Sequence, residues 1–278
     1  MPEVEIFFTT PMGEPGSLAG AGLVLPEQIK IINAPLNREQ LQEYPNELDV
    51  ISNRLILPEG TELAQELSYK VHEGQKRLTG RPFIYHPFEV AYLFHKILGI
   101  KDPVEISKLL LHDVVEDTTE GMQILLREFK DRGLDGEVEE GVMCLSKKSD
   151  VGPEDYITDY VTPQIFARPM TVVEKSFDNF HNLFVEPFPE EKREKKFFVV
   201  RAQATALHGM GMVMRDLPEA FPEEYAEKIS KWGGAVVELA GALPEMHENS
   251  GRDVEAVDLE ENAERFAAVG KSRFALAA

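Results

Sequence analysis

The sequence predicts a mainly α-helical bundle with a small β-containing appendage at its N-terminus. From residue 62 onward, apolar residues recur at the three- and four-residue spacing of amphipathic helices. Before residue 57, short β-favouring fragments alternate with proline and glycine. The 278 residues, 43% of them hydrophobic, can bury one substantial core. We therefore expect an appendage at 1–56, one main domain at 57–245 and an acidic tail with one helix at 246–278.

The predicted elements follow one another along the chain. The appendage contains three candidate strands, at 4–9, 23–25 and 29–32. Helices are predicted over residues 62–73, 87–98, 103–117, 120–132, 138–145, 170–184, 190–215, 222–243 and 255–269. Residues 149–163 should form a loop and a short helix. For the appendage, the sequence leaves three roles open: covering the mouth of an active site, self-association as a homo-oligomer, or packing on the bundle.

Composition limits the partners of the chain. A formal net charge of −20 disfavours non-specific binding to nucleic acid or to an anionic membrane, because those surfaces are also negative. The single cysteine, Cys144, excludes an intramolecular disulfide and a cysteine-rich zinc site. The sequence shows neither an apolar run of membrane-spanning length nor the pattern of a secretory signal. We expect a cytoplasmic protein without nucleic-acid or membrane partners.

The segment His-Asp-Val-Val-Glu-Asp at 112–117 is the strongest functional signal. The leucine-rich stripe of residues 106–110 runs directly into Asp113. An unpaired buried carboxylate is costly, so it normally becomes neutral, pairs or binds a cation. On a continuous helix, the four-residue spacing places four ionisable side chains on one side: His112, Asp113, Glu116 and Asp117. The segment therefore indicates a metal-binding catalytic centre, whereas an exposed helix end is the simpler alternative.

Other side chains could complete such a centre. The candidate ligands are His86, His112, Asp113 and Asp178. Mixed imidazole and carboxylate ligands suit manganese, iron or zinc better than calcium. Such a metal polarises a phosphoryl oxygen, and Glu116 or Asp117 could accept a proton from water. His181 is either another ligand or a core residue. The histidines without a spacing argument are expected to be structural or solvated: His72, His95, His208 and His247.

Four segments occur in an order and spacing that resemble a known family. They are HEGQKRLTGRPFIYHPFEVA (72–91), LLLHDVVEDTTE (109–120), GVMCLSKK (141–148) and EKSFDNFHNL (174–183). Together they resemble the hydrolase domain of the RelA/SpoT family, the HD-superfamily enzymes that remove the 3′-pyrophosphate from the stringent-response alarmones ppGpp and pppGpp. The resemblance covers roughly residues 60–215 and implies an HD-type helical bundle. No segment resembles the synthetase domain of the family, so the chain looks like a small, hydrolase-only member.

The resemblance implies roles for individual residues. The family's manganese ligands correspond to His86, His112, Asp113 and Asp178. Its water-activating acidic pair corresponds to Glu116 and Asp117. Substrate contacts are implied for Arg77 at the base, for Asn182 near the sugar, and for three residues near the phosphates or ribose: Ser146, Lys147 and Tyr156. Lys76 and Arg81 are expected to bind the substrate by offsetting its charge, together with Arg77 and Lys147.

Two positions depart from the family pattern. Leu78 stands where the family usually has a basic residue, and Asn179 replaces the usual arginine after the metal aspartate.

The leading hypothesis is a manganese-dependent hydrolase of a guanosine or adenosine 3′,5′-bis-polyphosphate, with zinc or iron as other candidate metals. One alternative is an HD-type phosphohydrolase of a dNTP or nucleoside monophosphate. Another is an alarmone-binding module without catalysis, against which the intact Glu116–Asp117 pair argues.

Overall fold

The structure is a computed structural model, and it describes part of the chain. The described residues are 7–9, 15–17, 51–52, 55–117, 127, 136–147, 151–152, 155–161, 163–186, 192, 196–241 and 243. Only the backbone is described at 7–9, 15–17, 117, 157, 158 and 166. The described part is mainly helical, which confirms the predicted fold class at that level. The chain divides into two compact units, one of Met1–Val4 and Leu25–Lys147, the other of Glu5–Val24 and Lys148–Ala278.

The described helices of the first unit surround the segment that carries His112. They are α1 (Glu62–His72), α2 (Tyr85–Leu98), α3 (Pro103–Leu111), α4 (Val114–Asp117) and α5 (Gly136–Leu145). Helix α3 packs against α1, α2 and α5, and its residues Ile106 to Leu111 are buried. The side chain of Asp102 caps its N-terminus by accepting a hydrogen bond from the Val104 N–H at 2.9 Å. The apolar stripe of the sequence thus becomes the centre of this unit.

The predicted continuous helix over 103–117 is wrong in one respect. Helix α3 ends at Leu111, a turn occupies His112 and Asp113, and α4 begins at Val114. Side chains compete for the backbone there: the His112 ring bonds the Leu109 carbonyl oxygen at 2.7 Å, and Ser146 Oγ lies 3.1 Å from the His112 carbonyl oxygen. The two ligand candidates therefore stand at a break between helices.

The second unit is organised around two long helices. Its described helices are α6 (Pro169–Phe180), α7 (Phe197–Asp216) and α8 (Glu223–Gly241), with π-helical turns at Tyr156–Val161 and His181–Val185 and 3₁₀ turns at Ile165–Ala167 and Pro218–Ala220. Helices α7 and α8 pack at glycines, since a Cβ on Gly233 would lie 2.6 Å from the Gly211 carbonyl oxygen. The Trp232 ring stacks on Phe177 with a centroid distance of 4.2 Å. Its Nε1–H donates to Ser176 Oγ at 2.8 Å.

Several predictions lie largely outside the described residues. In the N-terminal part, β1 (Phe7–Thr9) pairs antiparallel with β2 (Pro15–Ser17). Most of residues 1–50 are not described, so the appendage stays a prediction, as do the domain boundaries. The predicted helix at 255–269 lies outside the described residues, and of 120–132 only Arg127 lies inside them. In the part that the structure describes, no helix has the length and apolar character to cross a membrane.

Candidate metal centre

The loop between α1 and α2 positions His86. It folds back on itself through the Phe83 N–H, which donates to the Gln75 carbonyl oxygen at 2.9 Å, and through the bridge between Lys76 and Pro82. Gly80, at the turn, has a φ of 86°, a conformation that favours glycine. The loop leads into α2, where the His86 side chain is buried with an exposed fraction of 1%.

Three residues with potential ligand atoms converge in the first unit. His86 Nε2 lies 3.3 Å from His112 Nε2 and 3.3 Å from Asp113 Oδ2, and His112 Nε2 lies 3.2 Å from Asp113 Oδ1. Donors that bind one metal ion at about 2.0–2.2 Å lie roughly 3.0–3.5 Å apart in tetrahedral or octahedral geometry. The separations of these atoms therefore suit a metal ion, and the ligand roles of the four predicted residues stay predictions.

The hydrogen bond at the back of His112 determines which ring atom faces the cluster. A carbonyl oxygen only accepts, so His112 Nδ1 carries the hydrogen that it donates to Leu109. In the neutral ring, Nε2 then presents a lone pair towards His86 and Asp113. Nitrogen and oxygen lone pairs at this separation repel unless a proton or a cation lies between them. A backbone acceptor behind the ring is also the usual arrangement for a metal-binding histidine.

The protonation of Asp113 reflects its neighbours. Burial by itself would raise its pKa, because the charged form loses water. When a proton on the imidazoles takes the place of a cation, the positive charge of His112 and hydrogen bonds from both imidazoles outweigh burial and hold the pKa of Asp113 well below its usual range. Asp113 is therefore a carboxylate, as a metal ligand requires.

The C-terminal end of α5 contacts both the ligand turn and α4. Ser146 Oγ lies 2.8 Å from the Val142 carbonyl oxygen and 3.1 Å from that of His112, so its hydroxyl hydrogen has two nearby acceptors. The backbone N–H of Lys147 donates to Glu116 Oε1. The backbone of Asp117 lies in α4, whereas its side chain lies outside the described residues. The structure thus brings Glu116, Ser146 and Lys147 into one connected region with His112.

Two predicted substrate-binding residues, Lys76 and Arg77, lie in the loop before α2. The Arg77 guanidinium lies 5.3 Å from the centroid of Phe83, and Lys76 is exposed. Leu78 is also exposed, with an exposed fraction of 47%. Arg81, which the sequence offered as a further charge for the ligand, instead forms two hydrogen bonds with the buried Glu89 at 2.8 and 2.5 Å. Its charge is therefore balanced inside the protein.

The remaining predicted residues belong to the second unit. Asp178 Oδ1 accepts from Asn182 Nδ2 at 2.8 Å, and Asp178 Oδ2 lies 2.7 Å from the ammonium of Lys175. The Tyr156 hydroxyl donates to Asn179 Oδ1 at 3.3 Å. Asn179 is fully buried, so the replacement of the family's usual arginine by asparagine lies in the interior of the protein. The ligand role of Asp178 and the substrate roles of Tyr156 and Asn182 stay predictions.

Sequence reasoning gave His72 no functional significance. The residue is buried, with an exposed fraction of 1%, and its ring stacks on Phe83 at a centroid distance of 4.6 Å. It also interacts electrostatically with Asp113, His112 and His86. The sequence did contain an indication of a role for His72: it is the first residue of the family-like segment at 72–91 and lies three residues before Gln75.

Comparison with known proteins relates the chain to enzymes of guanosine polyphosphate metabolism. It is 32% identical over 154 residues to the GTP pyrophosphokinase of Streptomyces coelicolor, covering 54% of this chain and 18% of that protein. The same identity and coverage relate it to the GTP pyrophosphokinase of Streptomyces antibioticus. It is 31% identical over 181 residues to the guanosine-3′,5′-bis(diphosphate) 3′-pyrophosphohydrolase of Aquifex aeolicus, covering 60% of this chain and 24% of that protein. These relatives support a relationship to the RelA/SpoT family.

The similarity covers only part of each relative and does not specify one activity. The matches span about a fifth of the length of these relatives, and the relatives carry the names of two different activities. No family model matches the chain, and no solved structure matches it.

Proposed function

We propose that this protein is a metal-dependent hydrolase that removes the 3′-pyrophosphate from a guanosine or adenosine 3′,5′-bis-polyphosphate. The observation that carries the proposal is the convergence of His86, His112 and Asp113 within 3.2–3.3 Å of one another. Similarity to the 3′-pyrophosphohydrolase of Aquifex aeolicus supports the choice of substrate. The proposed partner is a small nucleotide, without nucleic acid or membrane, and the proposed location is the cytoplasm.

The donor set fits a first-row divalent metal, and we propose Mn²⁺, with zinc or iron as alternatives. His86, His112 and Asp113 would hold the ion, and the resemblance adds Asp178 as a fourth ligand. When bound, the ion would polarise a phosphoryl oxygen of the substrate and favour deprotonation of water.

The side chains beside the cluster would control the water and its proton. Glu116, oriented by the Lys147 N–H, would align the attacking water and accept its proton together with Asp117. The water oxygen forms a bond to phosphorus, the bond between phosphorus and the 3′-oxygen breaks, and that oxygen takes up a proton. The products are pyrophosphate and a nucleotide with a free 3′-hydroxyl.

Local positive charge would hold an anionic substrate in an acidic protein. Lys76, Arg77 and Lys147 belong to the first unit, together with the ligand cluster. A cleft can focus the field of a few cations even when the net charge is −20. We assign Arg77 to the base, and Lys76, Ser146 and Lys147 to the phosphates. Tyr156 and Asn182 are assigned to the ribose side.

A nucleotide panel tests the proposal. Purified protein with Mn²⁺ should release pyrophosphate from guanosine 3′,5′-bis(diphosphate) and leave GDP. Tripolyphosphate from a dNTP, or phosphate from a nucleoside monophosphate, would instead identify another HD-type activity. Binding without turnover would identify a regulatory module.

Pyrophosphate transfer to GTP is the second candidate, because two of the relatives are named GTP pyrophosphokinases. It is assayed in the same panel with GTP and with ATP as the pyrophosphate donor. Formation of a guanosine pentaphosphate there, without hydrolysis in the first assay, would replace our proposal.

A further inference from the structure

His72 presents a defined hydrogen-bond acceptor inside the first unit. Gln75 Nε2 donates to the Val71 carbonyl oxygen at 3.2 Å, which turns Gln75 Oε1 towards His72 Nδ1 at 3.0 Å. Because an amide oxygen only accepts, Nδ1 carries the hydrogen, and Nε2 of the neutral ring keeps its lone pair. Nε2 is buried and has no hydrogen-bond partner among the described residues. Burial also lowers the pKa of His72, so the ring is neutral at pH 7.

The surroundings of His72 connect it with the candidate metal centre. Its ring stacks on Phe83, with 23° between the planes, and the Phe83 ring meets His86 edge-on at 6.1 Å between centroids. The same Phe83 ring has the Arg77 guanidinium over it. The charges of Asp113, His112 and His86 also act on His72, so its ring shares the electrostatic environment of the candidate metal centre.

An unpaired acceptor in such a place is unusual. More than nine in ten buried polar groups have a hydrogen-bond partner, because a buried group without one keeps the cost of losing water. The ring could avoid this cost if a donor arrives with the ligand. Phosphate oxygens are excluded as partners, since they are acceptors like Nε2 itself. The fitting chemistry is an O–H or N–H donor, and the proposed reaction brings O–H groups in the attacking water and in the ribose.

We propose that His72 Nε2 accepts a hydrogen bond from an O–H group in the occupied active site, either the attacking water or the ribose 2′-hydroxyl of the nucleotide. The inference rests on the proposed function and adds one residue to it. His72 would be a positioning residue if the donor is water, and a specificity residue if the donor is the ribose.

Three substitutions of His72 test its Nε2 acceptor separately from the other contacts of the ring. His72→Asn retains a donor to Gln75 and lacks the acceptor at the Nε2 position. His72→Gln places an amide oxygen near that position, and His72→Phe retains the stack on Phe83 alone. We expect kcat/KM for guanosine 3′,5′-bis(diphosphate) to fall about tenfold or more in the Asn and Phe variants, and less than about threefold in the Gln variant. Mn²⁺ affinity, measured by calorimetry, should be the same in all three and in the wild type.

The source of the donor is identified with a 2′-deoxyribose substrate. If the ratio of wild-type to His72→Phe rates falls to about one with that substrate, the donor is the ribose hydroxyl. If the ratio is unchanged, the donor is water. A His72→Phe protein with the wild-type rate overturns the inference, and so does an equal loss in the Gln and Phe variants.

A measurement on the unmodified protein covers variants that fail to fold. The ¹⁵N resonance of His72 Nε2 should shift when guanosine 3′,5′-bis(diphosphate) is added with diamagnetic Mg²⁺, while Nδ1 retains its hydrogen. An unchanged Nε2 resonance in the nucleotide complex overturns the inference. Absence of pyrophosphate release from the wild type with Mn²⁺ overturns the proposed function instead, and the resonance then decides the inference by itself.

Discussion

The backbone N–H of Lys147 donates a hydrogen bond to Oε1 of Glu116, a residue 31 positions earlier in the chain. The carboxylate that we propose as a base is therefore held by the end of α5 rather than by its own short helix. The preceding residue, Ser146, contacts the carbonyl oxygen of the candidate ligand His112. The proposed base and the candidate ligand are thus both contacted by the end of α5.

Glu116→Gln separates the chemistry of this residue from its structural contact. The amide oxygen of glutamine can still accept the hydrogen bond from Lys147, but glutamine cannot accept a proton from water. We expect kcat to fall about 10²- to 10⁴-fold with an unchanged melting temperature. Pyrophosphate release and a thermal melt measure the two quantities. Wild-type turnover by this variant would exclude Glu116 as the base.

Asp113→Asn should remove metal binding without disrupting the turn. Asp113 contributes the one carboxylate among the three converging residues, so its loss leaves two neutral imidazoles. We expect Mn²⁺ affinity to fall by more than the roughly 10–100-fold typical of an outer-shell partner. The matched control is Asp102→Asn, since asparagine caps a helix as well as aspartate does. Equal metal content in the two variants, measured by atomic emission, would contradict the assignment.

Adjacent glycines in α8 should respond in opposite ways to alanine. A Cβ on Gly233 would lie 2.6 Å from the Gly211 carbonyl oxygen and 2.7 Å from the Arg215 backbone nitrogen, whereas one on Gly234 meets nothing within 4 Å. Gly233→Ala should lower the free energy of unfolding by about 1–3 kcal/mol or more, because backbone atoms must move. Gly234→Ala should raise it by roughly 0.5–1 kcal/mol, since alanine is the better helix former. Chemical denaturation measures both.

The stability of the protein should decrease in mild acid, in part through His95. Burial lowers the pKa of His95 below its ordinary value of 6.5. At a pH between the folded and unfolded pKa values of His95, the unfolded chain binds more protons than the folded protein. The contribution of neutral His95 to folding stability is therefore fully present above pH 6.5 and is lost as the pH falls through the folded pKa. His95→Gln should flatten the profile of melting temperature against pH below this value. A profile as steep as that of the wild type would exclude a contribution from His95.

Local patterns explain what could be predicted from the sequence. Helical periodicity depends on neighbouring residues, and so the helices around 62–73, 138–145 and 222–243 could be placed within a few residues. The cost of burying Asp113 follows from the apolar stripe just before it in the sequence, and this cost indicated that the carboxylate needs a partner. Its observed neighbours, His86 and His112, are among the ligands proposed on that ground.

Long-range contacts explain what the sequence could not predict. At the break between α3 and α4, the His112 carbonyl oxygen is contacted by the hydroxyl of Ser146, which lies 34 residues away. The importance of His72 depends on Phe83 and on a lone pair that Gln75 orients. Arg81 was expected to offset the charge of the substrate, but it pairs with Glu89. None of these contacts follows from periodicity.

The support at the end of α5 has a consequence for control of the protein. Because Ser146 and Lys147 hold the ligand turn and the acid through hydrogen bonds from consecutive residues, one displacement of this helix end would release both together. The proposed activity would then fall although no candidate ligand had been replaced. A partner or substitution at the end of α5 could therefore disable the candidate site without contacting the proposed metal or nucleotide.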